Sequence, residues 1–327
     1  MTDRPRFVAP RQAPAGLWRR TPPMIFAPIL ALLALALAWR AGIGEFSLPA
    51  GLADFLSGVA VALCLFAVVA YAAKIMRRPA VLGDELTTLP GRVGVDAGMV
   101  SLILSGGVLA PVSLIAGRAM LVFGLVALIA LLVQDLRHLL ARRSDRGQGG
   151  PAWQLRWTGL LAAAAVAQVT GWQVLAAWLV YPGAVAALIT AGAAMAQLRA
   201  QRVPKVLLPL MALHLVPVAA YGVAAVALQA GFQQTAYGLT LAGLLLLPVF
   251  AWRAGTGLFL VVLTIPLSFA AWFLVALGAA NPDLGAMRIL GGLVLIAATL
   301  ICLPLLFITL RDWARGQLAI RSNAAIA

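Results

Sequence analysis

Few side chains in this chain could do chemistry, and they do not gather. There are ten acidic residues and two histidines among 327 positions. His138 and His214 lie far apart in the sequence, and no metal-ligand spacing surrounds either. No P-loop, GxSxG or HExxH occurs, so the chain is not expected to be an enzyme. Cys64 and Cys302 both fall in apolar runs, where cysteine behaves as a small hydrophobe; no disulfide, metal or other cofactor is expected. What remains is a set of ionisable groups at the edges of apolar stretches: Asp54, Asp96, Arg118, Asp135 and Arg156. Snorkelling or pairing at an interface is their ordinary use. No carboxylate falls near the middle of a stretch, which favours passive or weakly coupled movement of a solute over strongly ion-driven transport. His214, in His214-Leu215-Val216-Pro217, is the exception. Its ring either meets an anion or titrates near neutral pH, or it bonds a carbonyl freed by the Pro217 kink.

The elements that must position these groups follow from composition. The chain is 63% hydrophobic and 10% charged, with a mean hydropathy of +1.00, against about 45–50% and about 25% in soluble domains. It reads as an all-α, multi-pass membrane protein. At about 20 apolar residues per crossing, ten spans are expected, near residues 23–40, 51–73, 93–114, 117–136, 156–172, 174–197, 206–228, 232–252, 256–279 and 286–310. Residues 1–22 form a basic, proline-rich tail without the apolar core of a signal peptide, so the first span is expected to stay as an anchor. The membrane domain covers 23–312, with a tail at 313–327.

Charge gives an independent count. With both termini cytoplasmic in a bacterial inner membrane, 21 of the 24 Lys and Arg residues fall on the inner side, leaving Arg40, Arg118 and Arg288 outside. A missed span would invert every later loop, so the bias supports ten spans arranged as five hairpins opening to the cytoplasm. The inner clusters, Lys74 to Arg78, Arg92, Arg137 to Arg146 and Arg199 to Lys205, either concentrate anions at the mouth of a pathway or act only as topology determinants. They lie between apolar runs with no aromatic interleaving, so no nucleic-acid partner is expected.

Prolines and glycines are the strongest signal inside the spans. Pro28, Gly106-Gly107 with Pro111, Pro217 and Pro266 fall in four of the five odd-numbered spans, and the fifth carries small residues at 162–167. A proline frees a carbonyl that lipid will not satisfy. The odd spans are therefore expected to form an inner ring around a passage, although Pro182, Pro248 and Pro304 fall in even ones.

Several short stretches together resemble the bacterial tellurite-resistance (TehA-type) proteins: Thr21-Pro22-Pro23-Met24-Ile25-Phe26-Ala27-Pro28 running to Trp39-Arg40, Leu89-Pro90-Gly91-Arg92, Pro151-Ala152-Trp153, and His214-Leu215-Val216-Pro217. That family also includes C4-dicarboxylate transporters and the plant slow anion channels. The resemblance implies a homotrimer in the bilayer, each protomer carrying small inorganic or organic anions through a pore lined by its five odd helices. It also implies an aromatic gate on the ninth span, in a Phe-Pro or Phe-Gly step. The matching step here is Ile265-Pro266, which is aliphatic; Phe269, one turn on, is the expected substitute, and Phe26 is expected to complete a hydrophobic constriction. Two other classes remain open. A ten-helix drug/metabolite-type exporter would be built as two inverted five-helix repeats. A lipid-modifying membrane enzyme would gather polar side chains around a lipid-accessible cavity.

Overall fold

Runs of Ala and Leu, strong helix formers, dominate the first apolar stretch, and in lipid every backbone polar group must be satisfied within its own segment. The structure, a computed structural model, is accordingly helical throughout its described residues, which are 21–140, 151–199, 241–242, 244–249, 258–280 and 285–322. A short 3₁₀ turn, Pro23–Ile25, leads into α1, Phe26–Phe46. There follow α2 (Ala50–Arg77), α3 (Ala80–Thr87), α4 (Leu89–Leu109), α5 (Leu114–Leu140), α6 (Pro151–Val169) and α7 (Gln173–Arg199), and later α8 (Leu258–Ala280), α9 (Gly285–Ala314) and α10 (Gln317–Arg321). Six of the described helices are long and apolar enough to cross a bilayer: α1, α2, α4, α5, α8 and α9. The expected seventh span, with His214 and Pro217, lies outside the described residues, as does much of the eighth, of which residues 241–242 and 244–249 are helical.

The helices divide into two layers. The apolar stretches of α1, α4 and α8, the first, third and ninth spans, are 83%, 83% and 89% buried; those of α2, α5 and α9, the second, fourth and tenth, are 44%, 33% and 33% buried. α6, the fifth span, is also enclosed from Leu155 to Ala167 wherever its side chains are described, save Trp157. Large exposed side chains fall on the outer layer, among them Phe55, Phe123, Trp178, Leu300 and Phe307, as expected of surfaces that meet lipid.

The buried helices run side by side in the order α8, α1, α4, α6, each packed on the next. They are parallel. Arg288, at the start of α9, pairs with Glu45 at the end of α1 and lies against Gly278 at the end of α8. Pro23 and Leu37 meet α4 at Gly94 and Gly107, and Val100 and Gly107 meet α6 at Gly159 and Val166, in the same direction along the chain.

Prolines do not separate the layers as expected. Pro28 stands in the first turn of α1, where its missing N–H would have no intrahelical partner anyway. Pro111 falls beyond the end of α4, and the helix continues through Gly106 and Gly107. Pro266 does lie inside α8, but Pro182 and Pro304 lie inside the outer helices α7 and α9. Burial, not helix breaking, marks the inner layer.

Two short helices arise where only loop was expected. α3 packs on α2 and α4 at the end of the bundle where α1 begins, the end expected to be inner, and α10 folds back after Gly316, which takes the left-handed conformation at φ 70°.

Candidate transport pathway

The centre of the α8 stretch is anchored on its outer side. Cys302 Sγ of α9 lies 3.1 Å from Ser268 Oγ and 3.8 Å from the Thr264 carbonyl oxygen. At 3.6 residues per turn, Ile265 and Phe269 are then on a flank of α8. Pro266 and Phe273 lie near the face opposite α9, since Phe273 follows Thr264 by two and a half turns. All are buried, Ile265 completely; Phe269 rests against Trp272, their ring centroids 6.1 Å apart. Phe273, 1% exposed, is the aromatic residue that matching to the Phe-Pro step passes over.

Phe26 and Pro28 belong to another neighbourhood. The Phe26 ring packs edge-on to Tyr71 of α2, centroids 5.9 Å apart, and lies over Gly98 of α4, where an added Cβ would come within 3.0 Å of it. It therefore fills the seam of α1, α2 and α4 at the inner end, while Ile265 is seven residues, about 10 Å, into the parallel α8.

That inner end carries buried charge of a kind the basic clusters did not lead one to expect. Lys74 is wholly buried, paired with Glu85 of α3 and donating to the Thr21 carbonyl at 2.9 Å; the Tyr71 hydroxyl donates to the same carboxylate. Arg92 is buried and donates to the carbonyls of Leu86 and Thr87. Neither cation is a solvent-facing charge at a mouth. The lead-in to α1 is pressed onto α4 by the same construction: a Cβ on Gly91 would sit 2.1 Å from the Glu85 carbonyl oxygen, and one on Gly94 2.3 Å from Pro23 backbone.

A second buried cluster joins three helices. Arg156 of α6 donates through Nε to Asp96 of α4 at 2.7 Å and through Nη1 to Asp135 of α5 at 2.6 Å. These groups pair, as one of the two expected uses had it. Asp96 is farther from its helix start than expected, because α4 begins at Leu89 rather than near residue 93. It stands between Gly94, which meets Pro23, and Gly98, which meets Phe26, so it lies level with the start of α1.

The far ends hold the three basic residues left outside the inner tally. Arg40 pairs with Asp54 at 2.8 Å, and Arg288 with Glu45 at 2.8 Å. Arg118 donates to the Thr170 carbonyl at 3.0 and 3.1 Å and lies over the Trp172 ring. That carbonyl belongs to the tight α6–α7 turn, where Gly171 takes φ 79°. Among the described residues, no three His, Cys, Asp or Glu side chains are grouped to hold a metal.

A scan against protein-family models finds no match for this chain, and a search of curated proteins finds none either.

Proposed function

We propose that the chain is an inner-membrane anion channel or transporter of the tellurite-resistance and slow-anion-channel type, moving small anions along the axis of each protomer of a trimer. The carrying observation is the two-layer order: four parallel, buried helices, α8, α1, α4 and α6, follow one another as spans nine, one, three and five, and the exposed helices stand outside them. Span seven would complete that sequence between α6 and α8, giving five inner helices and five outer ones, with both termini cytoplasmic. Two inverted five-helix repeats would not by themselves require alternate spans to be buried, so the exporter reading has less support. Arg156, with Nε and Nη1 on carboxylates of two other helices, serves as a brace between helices rather than as a carrier of the solute.

The constriction belongs to α8, at the level of Pro266 to Phe273. The test is chloride and nitrate efflux from liposomes reconstituted with Ile265→Ala and Phe273→Ala proteins. Phe273→Ala is expected to raise efflux about tenfold or more, since opening a hydrophobic gate removes a dewetted barrier, and Ile265→Ala to raise it less. A folded Phe273→Ala protein with wild-type efflux would remove the gate from this face, and no efflux from any protein would remove the pathway itself.

A further inference from the structure

The exposed basic residues at the inner ends are distributed in a way that bears on their partner. Among the described residues, Arg77, Arg137, Arg199, Arg311 and Arg315 are exposed, and they sit on or just beyond α2, α5, α7 and α9, all helices of the outer layer. The inner-layer cations Arg92 and Arg156 are buried and bonded to protein. A device for drawing anions to a central mouth would place its free charge on the inner helices; here the charge is at the rim, where the bundle meets lipid.

On α9 the rim becomes a shaped surface. Leu300, Pro304, Phe307, Arg311 and Arg315 recur at three- and four-residue intervals and are all exposed, so one face of the helix passes from apolar to basic along its length. From Leu300 to Arg311 is about 16 Å, much of an acyl chain in one leaflet. The opposite face of α9 is the packed one: Trp313, two residues from Arg311 and so about 200° round the helix, meets Phe66 of α2, their ring centroids 5.6 Å apart, and both helices rest on α1. Asp312, the nearest carboxylate, is taken by Arg321 and stands 4.0 Å from the Arg311 guanidinium. Two guanidinium groups, one turn apart, thus sit above an apolar track, and the one carboxylate beside them is shared with Arg321.

We propose that this face binds an anionic phospholipid of the inner leaflet, with the phosphate on Arg311 and Arg315 and the acyl chain along Leu300 to Phe307. Charge complementarity and the apolar-to-basic order select a lipid over a free anion, which would leave the apolar track unused, and over a second copy of this chain, whose inner rim carries the same charge. The inference does not depend on what passes through the protein.

Native mass spectrometry of the full-length protein in detergent, with phosphatidylglycerol and phosphatidylcholine offered in equal amounts, tests it. Phosphatidylglycerol is expected to dominate the bound lipid, and Arg311→Gln with Arg315→Gln to lower its occupancy about tenfold or more while leaving phosphatidylcholine binding and the melting midpoint unchanged. Arg311→Lys with Arg315→Lys, which keeps the charge, retains most of the preference and serves if the glutamine variant is poorly folded. Equal occupancy by the two lipids, or an undiminished preference in a folded glutamine variant, overturns the proposal. Inorganic phosphate that competes the lipid off at equal concentration would reassign the site to a free anion. Loss of a dimeric mass in the glutamine variant, with lipid binding intact, would reassign the face to self-association.

Discussion

Lys74 and Glu85 face each other with neither side chain reaching water, so each charge is tolerable only while the other is present. Neutralising one partner leaves a buried charge uncompensated, and Glu85→Gln is expected to cost about 3–5 kcal/mol. Replacing both, as Lys74→Met with Glu85→Gln, is expected to recover most of that loss. Detergent-solubilised unfolding across the four proteins of this double-mutant cycle checks the coupling; a Glu85→Gln protein as stable as wild type would mean the pair is dispensable. The pairing was only half legible in the sequence. Lys74 lies in a run with Arg77 and Arg78 that reads as an inner-side basic cluster, and nothing in its immediate surroundings separates it from those exposed neighbours. What separates it is α3, whose eight residues return Glu85 to the end of α2.

Among the elements, α4 is the one on which most others depend, and its glycines show why. Gly91, Gly94 and Gly98 share one face at helical spacing and are met by the Glu85 carbonyl, the Pro23 backbone and the Phe26 ring in turn. The obstacle at Gly94 is backbone, which cannot swing aside. Gly94→Ala is therefore expected to push the lead-in off α4 and to cost about 1–3 kcal/mol. Gly58→Ala on α2, with nothing within 4 Å of the added carbon, is expected to be neutral or to stabilise by about 0.5–1 kcal/mol. Thermal midpoints of the two variants in one detergent compare them, and equal effects would show that close approach at Gly94 is not needed. The start of α4 also explains the misplaced span. Leu89-Pro90-Gly91-Arg92 looks like loop when Pro and Gly are read as breakers, yet Thr88 accepts a hydrogen bond from the Gly91 N–H at 3.2 Å and Pro90 falls in the first turn, where proline is at home. Read as a cap and an N-terminal proline, the same residues start the helix four positions earlier and add a turn ahead of Asp96.

Over the whole molecule, the membrane class and the positions of the described spans followed from hydropathy, because lipid imposes length and apolarity on any segment that crosses it. Layering was less legible. Pro28 and Pro111 point to broken odd helices but stand at helix ends, whereas what distinguishes α1 from α2 is the side on which apolar residues are met, by protein or by lipid, and both surfaces take Leu and Ala equally well. Arg40 and Arg288, which broke the inner-side pattern, are each held by a carboxylate at the same end of the bundle, and Arg118 by a backbone carbonyl.

The cluster of Asp96, Asp135 and Arg156 also sets an order of assembly. Asp96 leaves the ribosome 60 residues ahead of the arginine that neutralises it, a delay of about 3–12 seconds at usual rates of synthesis. Lys74 waits only 11 residues for Glu85. During that longer interval α4 carries an uncompensated carboxylate, so α4, α5 and α6 are expected to leave the insertion machinery for lipid as one unit. Nascent chains arrested after α5 should keep α4 within crosslinking reach of the insertion machinery, and those arrested after α6 should show α4 crosslinked to lipid. With Asp96→Leu, α4 of the shorter chains should crosslink to lipid as well; if all three behave alike, the helices partition one at a time and the triad forms afterwards.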